Sequence, residues 1–243
     1  MKKFLMILSA ALVLSSCAAK KEDTSMLSAE TLYTKAYQRL NKTEYEKAAE
    51  YFEKVEVEHP YSKWAVKAKL MGAYAHYKAG KYDDALLSLD RFIKYHPGNK
   101  DIAYAYYMRA ICWYDQISPA DKDQTASKNA YDAFNAVIKM FGDTDYAKDA
   151  KAKMVLALDH EAAHEMEVGR FYLGQKNYLA ALNRFDEVVQ KYQTTAHIEE
   201  ALYRETEAYT ILGLTNEAKR AAEVLNYNYP ESPWNKKAQK LVK

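Results

Sequence analysis

Cysteine, proline and glycine are scarce: the 243 residues contain two, five and seven of them. So few turn formers argue against a sandwich or barrel of many short strands and for helices joined by short connections. Cysteine pairs for a zinc site are missing. Charge of one sign is missing too. With 35 Lys and Arg against 33 Asp and Glu, nothing electrostatic suggests nucleic acid as a partner. No stretch after residue 17 is apolar enough to span a bilayer. Gly-x-Ser-x-Gly, P-loop and Gly-x-Gly-x-x-Gly motifs are absent. What is present, 49% hydrophobic and 28% charged, is the composition of a folded chain.

The first residues read as an address. Lys2 and Lys3 precede an apolar run, Phe4 to Leu14, which has the length of a secretory h-region and is too short for a transmembrane helix. The run ends in Leu14-Ser15-Ser16-Cys17, which resembles the bacterial lipobox. The resemblance implies removal of residues 1–16, acyl chains such as palmitate on Cys17, and a polar tether over 17–27. An ordinary signal peptide with a chance Cys is the alternative. Each buried CH₂ adds about 0.8 kcal/mol, so three chains would hold the protein firmly on a membrane. Ala18, in place of the Asp associated with inner-membrane retention, favours the periplasmic face of the outer membrane. With Cys17 acylated no intrachain disulfide can form, and Cys112, within Ala110-Ile111-Cys112-Trp113, is expected to be a buried structural thiol.

The remaining chain repeats. Aligned on Ala48, Ala85, Ala130, Ala181 and Ala218, it shows Phe52, Leu89, Phe134, Phe185 and Ala222 four residues later. Val55, Phe92, Val137, Val188 and Leu225 follow at seven. These offsets share one helical face, where the small residue admits a neighbouring helix. Pro60, Pro97, Gly142, Gln193 and Pro230 then stand at twelve, as helix stops. Two residues further come Ser62, Asn99, Thr144, Thr195 and Ser232, read as N-caps of the next helix. Tetratricopeptide helix pairs need about 34 residues each. The pattern predicts an all-α tetratricopeptide-repeat superhelix, a right-handed array of five helix pairs over 28–61, 62–98, 99–143, 144–194 and 195–231, with a C-terminal capping helix over 232–243. Residues Ile117 to Asp123 read as a loop inserted in unit three, and Tyr146 to Gly174 as one long helix opening unit four.

His160-Glu161-Ala162-Ala163-His164 fits the metalloprotease pattern H-E-x-x-H, which on a helix puts two imidazoles on one face. A catalytic zinc also needs a third ligand, and Glu165 and Glu167 follow too closely to fold back onto the same ion. These histidines are therefore expected on a helix surface or partly buried, with no metal and no cofactor. The dense cluster Tyr104, Tyr106, Tyr107, Trp113 and Tyr114 reads first as packing between repeats and second as the lining of a peptide groove.

Several strings resemble the BamD (ComL) family, the outer-membrane lipoproteins of the β-barrel assembly machinery. They are Ala36 to Pro60, Leu89-Asp90-Arg91-Phe92-Ile93, Ala105 to Ala110, Tyr114-Asp115-Gln116-Ile117 and Tyr146 to Ala150. The most specific is His164-Glu165, leading through Val168-Gly169-Arg170-Phe171-Tyr172 to Tyr178 to Phe185. Lys122, where the family often has Arg, and Gln193, where a Pro usually stands, depart from its pattern. The resemblance implies a scaffold and not an enzyme. Its partners would be the POTRA domains of the barrel subunit BamA, other lipoproteins of the BAM complex and unfolded outer-membrane protein precursors. It places BamA on the C-terminal repeats, where Arg184, Glu165 and Asn183 are the candidates, because a guanidinium can pair bidentately with a carboxylate. Precursors fall to the N-terminal groove, with Tyr74, Tyr77, Arg91 and Arg109 as candidates. The plainer readings are an intramolecular ion pair for Arg184, and packing or solvated surface for the other four. A general periplasmic tetratricopeptide adaptor, linked to cell-wall assembly or DNA uptake, is the alternative function, with a zinc hydrolase behind it.

Overall fold

The computed structural model describes residues 26–120 and 122–243. The expected signal segment, Cys17 and the tether up to residue 25 lie outside the described residues, as does Asp121 within the inserted loop.

Among the described residues the chain forms eleven helices and no strands. They are α1 (Ala29–Asn41), α2 (Tyr45–Glu58), α3 (Lys63–Lys78), α4 (Tyr82–Tyr95), α5 (Ile102–Tyr114) and α6 (Thr125–Met140), followed by α7 (Asp145–Gly174), α8 (Tyr178–Lys191), α9 (Ile198–Ile211), α10 (Thr215–Asn228) and α11 (Pro233–Leu241). Each helix packs on the next, and the first helices of successive pairs also touch, α1 on α3, α3 on α5 and α5 on α7. The second helices α2, α4, α6 and α8 make no comparable contact with one another. The odd helices therefore form the closer layer and the even ones splay, which is how a tetratricopeptide array curves.

The repeated positions explain the packing. Ala48, Ala85, Ala130 and Ala181 have no exposed surface or nearly none, and Phe52, Phe92, Phe134 and Phe185 are equally buried. A buried Phe contributes about 1.5–3 kcal/mol, so each of the first four units owes much of its stability to one ring set opposite a small residue, while the fifth buries Leu225 instead. The long helix α7, 30 residues, serves two cores. Its first half places Ala147, Ala150 and Ala157 with Phe134, and its second half places Ala162 and Met166 with Phe185. The capping helix α11 sits on α9 and α10, with Lys237 over the ring of Trp234.

The stops and caps are partly as expected. Ser62, Thr144 and Ser232 each accept a backbone N–H from the first turn of the helix they precede. Asn99 and Thr195 do not cap. Helices α5 and α9 begin two residues later, after Asp101 and His197. The Asn99 side chain instead closes a turn on the Asp101 N–H at 2.8 Å, and the Thr195 hydroxyl donates back to the Tyr192 carbonyl at 2.8 Å. A short polar side chain close to a free backbone group satisfies it locally and delays the helix.

The turn within four of the units needs one left-handed residue, always five positions before the anchor alanine. Gly80 and Gly213 adopt it with φ of 74°, and Thr43 and Lys176 with φ of 58° and 60°. A β-branched side chain is costly there. Thr43→Gly is expected to raise stability by about 0.5–1 kcal/mol, the relief of strain outweighing the extra chain entropy of glycine. A urea titration would read this as a higher midpoint with an unchanged slope.

Candidate partner-binding groove

Arg184 projects from α8 toward α7, where its guanidinium pairs with the Glu165 carboxylate at 3.0 Å. Glu165 is the deeper partner, with 15% of its side chain exposed against 43% for Arg184. The hydrogen bond and charge of Glu165 hold the Arg184 pKa above its ordinary value. At this exposure the pair adds about 1 kcal/mol or less to stability. It does fix the direction of a planar group whose other N–H donors remain available on the solvent side. Asn183 is exposed beside it. With Tyr172, Ala180 and Glu187 these residues line a groove of about 380 Å³ between the second half of α7 and α8. The structure thus brings the three sequence candidates together, and adds Tyr172 and Glu187.

Local packing sets this geometry. Gly169 lies against the ring of Phe185, leaving no room for a Cβ, so α8 approaches α7 closely just below the groove. Around it, Arg170 reaches α9 and donates to Glu200 at 3.3 Å, and Phe171 is 63% exposed. On the other side of α7 the Nδ1 of His164 hydrogen-bonds the Ala120 carbonyl of the inserted loop. The tight string 164–172 therefore ties the loop, α8 and α9 to a single helix. His160 is exposed and His164 is engaged with the loop, and no group of three metal-binding side chains occurs among the described residues.

A second cavity, about 480 Å³, lies between α2, α3 and α4. It is the repeat copy of the first. Glu165, Tyr172, Ala180, Asn183, Arg184 and Glu187 each fall 96 residues after Lys69, His76, Asp84, Leu87, Ser88 and Arg91, all of which line this cavity. The charges are rearranged: Lys69 stands where the other groove has Glu165, and Arg91 where it has Glu187. Burial pushes the Glu56 carboxyl up to about 7, which Lys69 at 4.0 Å only partly opposes. Burial likewise lowers the pKa of His76, whose Nδ1 has no partner.

The four precursor candidates do not form one site. Arg91 lines this second cavity. Tyr74 and Tyr77 pack with their rings 6.3 Å apart, and Tyr77 donates its hydroxyl to Asp115 at 2.7 Å. Arg109 pairs with Asp90 at 3.2 Å, lies over the Tyr106 ring and faces a third, smaller hollow with Trp113 and Asp132. Sequence spacing could not separate them, because the exposure of a face depends on which helix covers it. Tyr107 makes the bond equivalent to that of Tyr77, donating to Asp149 of α7 at 2.6 Å. Burial, and then this bond, raise its pKa. Tyr107→Phe is expected to cost about 1–2 kcal/mol, since it leaves a half-buried carboxylate short of a donor. Chemical denaturation would measure it.

Cys112 is fully buried, with its thiol pushed up to about 12 by burial and by Asp115, a structural and unreactive position.

Successive helix pairs that bury a small residue and a large one at fixed offsets define a tetratricopeptide-repeat protein. Residues 26–225 match the family profile described as YfiO, outer membrane lipoprotein. The outer membrane protein assembly factor BamD of Rickettsia prowazekii is 46% identical, over 96% of this chain and 93% of its own length. Its namesakes from Caulobacter vibrioides and Neisseria meningitidis serogroup A are 40% and 34% identical, over 94% and 96% of this chain and 76% and 94% of their own lengths. The chain belongs to the YfiO/BamD family of outer-membrane lipoproteins. No helix of the described residues is long and apolar enough to cross a membrane.

Proposed function

We propose that this chain is a non-enzymatic assembly factor for outer-membrane proteins, held by acyl chains on Cys17 at the periplasmic face of the outer membrane. Its C-terminal units bind a POTRA domain of BamA through Arg184, with Glu165 orienting the guanidinium and Asn183 at the rim. Its N-terminal units meet unfolded barrel precursors, for which Arg91 and the surrounding cavity are the better placed of the four candidates. The other BAM lipoproteins complete the assembly. The observation that carries this reading is the half-exposed guanidinium, pinned from behind by a largely covered carboxylate and open in front, on a chain whose BamD relative from Rickettsia prowazekii matches nearly end to end.

The test is a pull-down of the native lipoprotein extracted from membranes, with Arg184→Glu beside it. A large barrel protein with POTRA domains should be recovered by the native chain and depleted at least tenfold by the variant. Failure of the native chain to recover one would favour a general periplasmic adaptor. Equal recovery by both would keep the function and discard the groove.

A further inference from the structure

The first helix carries a basic hollow that the two grooves do not account for. Lys35, Gln38, Arg39 and Lys42 line it, around a volume of about 200 Å³. These positions fall 37 residues before Gly72, Ala75, His76 and Ala79 of α3. In α3 that face meets the preceding unit. Ala75 is fully buried in the core of unit one, and Gly72 and His76 line the cavity that α2 helps to wall. Ala208 of α9 holds the same place in unit five and is buried too. The hollow is therefore the end face of the array, in front of which no helix stands among the described residues. Where α3 has Gly, Ala, His and Ala, α1 has Lys, Gln, Arg and Lys. Arg39 pairs with Glu44 at 2.6 Å, and Lys47 stands 3.8 Å from the same carboxylate. Lys35 is engaged within the chain as well. An ammonium or a guanidinium has several donors, and one internal partner does not exhaust them. Against Glu44 and the negative end of the α1 dipole, equivalent to about half a charge, Lys35, Arg39, Lys42 and Lys47 leave an excess of positive charge.

We propose that this end face docks on anionic phospholipid, with a headgroup phosphate in the hollow, and so fixes the orientation of the array on its membrane. The inference rests on the reading of Cys17 as acylated. Charge complementarity is one argument for this occupant, and the course of the chain is the other. The face that elsewhere receives the preceding unit here looks toward the chain that leads back to Cys17. From Cys17 to Ala29 that chain spans at most about 40 Å. Anchored lipid thus keeps headgroups at a high effective concentration beside α1, where even a weak contact is populated.

The test uses the acylated chain, extracted and placed in vesicles, with a fluorophore on Thr34→Cys. Thr34 is exposed one turn before Gln38, and the buried Cys112 does not compete for the label. A quencher linked to lipid headgroups reports proximity. Quenching should be strong in phosphatidylcholine vesicles that contain phosphatidylglycerol, weak in phosphatidylcholine alone, and reduced by salt. With Lys35→Gln and Lys42→Gln together, the ratio of docked to undocked chain should fall roughly thirtyfold, since each basic residue at an anionic surface is worth about a fivefold change. If the double variant does not fold, Lys42→Gln alone, at an exposed position, should give about a fivefold fall. Equal quenching in the two kinds of vesicle, or quenching unchanged by these substitutions, would overturn the proposal. Excess inorganic phosphate at matched ionic strength should leave the quenching in place. Its loss would assign the hollow to free phosphate and overturn the docking. A chain that does not stay with neutral vesicles would overturn the anchor and the docking together, whereas one that stays and is not quenched on anionic vesicles would overturn the docking alone.

Discussion

Exchanging the charges of the groove, by Arg184→Glu together with Glu165→Arg, is expected to restore the fold and not the partner. Arg184→Glu alone places a carboxylate against Glu165, whose side chain is only 15% exposed. Some stability is lost with the pair, about 1 kcal/mol, together with the added repulsion. The double exchange rebuilds an internal ion pair across α7 and α8, so the melting temperature should return close to that of the native chain. Affinity for BamA should not return, because the outward-facing group is now an acid. Truncating or reversing one member of a charge pair at an interface costs about 2–5 kcal/mol, a thirtyfold to several-thousandfold loss. Titration of the purified POTRA domains against the four proteins of this cycle separates the two roles. Recovery of binding in the double exchange would mean that the pair matters only inside the chain.

The second large effect is expected at Gly169. An added Cβ would come within 3 Å of three ring carbons of Phe185, which is fully buried and has nowhere to turn. Two effects oppose each other. Alanine is better than glycine in the middle of a helix by about 1 kcal/mol. Overpacking a close helix contact costs about 1–3 kcal/mol, sometimes more. Since the contact is with a ring held on both sides by the core, overpacking wins, and Gly169→Ala should lose about 2 kcal/mol, or roughly 5 °C in melting temperature for a chain of this size. Phe185→Leu in the same chain should restore part of that loss, because it vacates the space the methyl needs. A thermal and urea double-mutant cycle would show a coupling of at least about 1 kcal/mol. An additive result would mean that the helices separate as a whole and the close approach is not specific.

Much of this architecture was legible in the chain itself, and the particular residues show why. The anchor alanines and the residues four and seven positions on must share a face whatever surrounds them, because helical periodicity is local. The long α7 follows from the lack of any breaker but Gly169 between Tyr146 and Gly174, and the inserted loop from Ser118-Pro119. The groove was legible in part: the family string contained Arg184, Asn183 and Glu165, yet nothing in their spacing said that a guanidinium 19 positions away would meet Glu165. Tyr172 and Glu187 have no signal of their own in the sequence, and the 96-residue offset that relates them to His76 and Arg91 acquires meaning only once both cavities are seen. The N-terminal candidates lie further apart in the fold than their spacing indicates. Tyr77 and Arg109 look like binding residues by type, and the fold uses them to join helices through Asp115 and Asp90.

The element types, the repeat, the core faces and, through the resemblance of its strings, the family can all be read along the chain. All of these depend on residues a few positions apart, or on whole-chain similarity. Three outcomes come from the packing of the helices on one another: which charges are spent inside the chain, that Asn99 and Thr195 turn before their helices start, and that Glu205 is buried. Those outcomes depend on which side chain of a neighbouring helix arrives at a given face and how much water it displaces. Repeat spacing sets that a neighbour will be there, while its chemistry is contributed by residues far away in the chain.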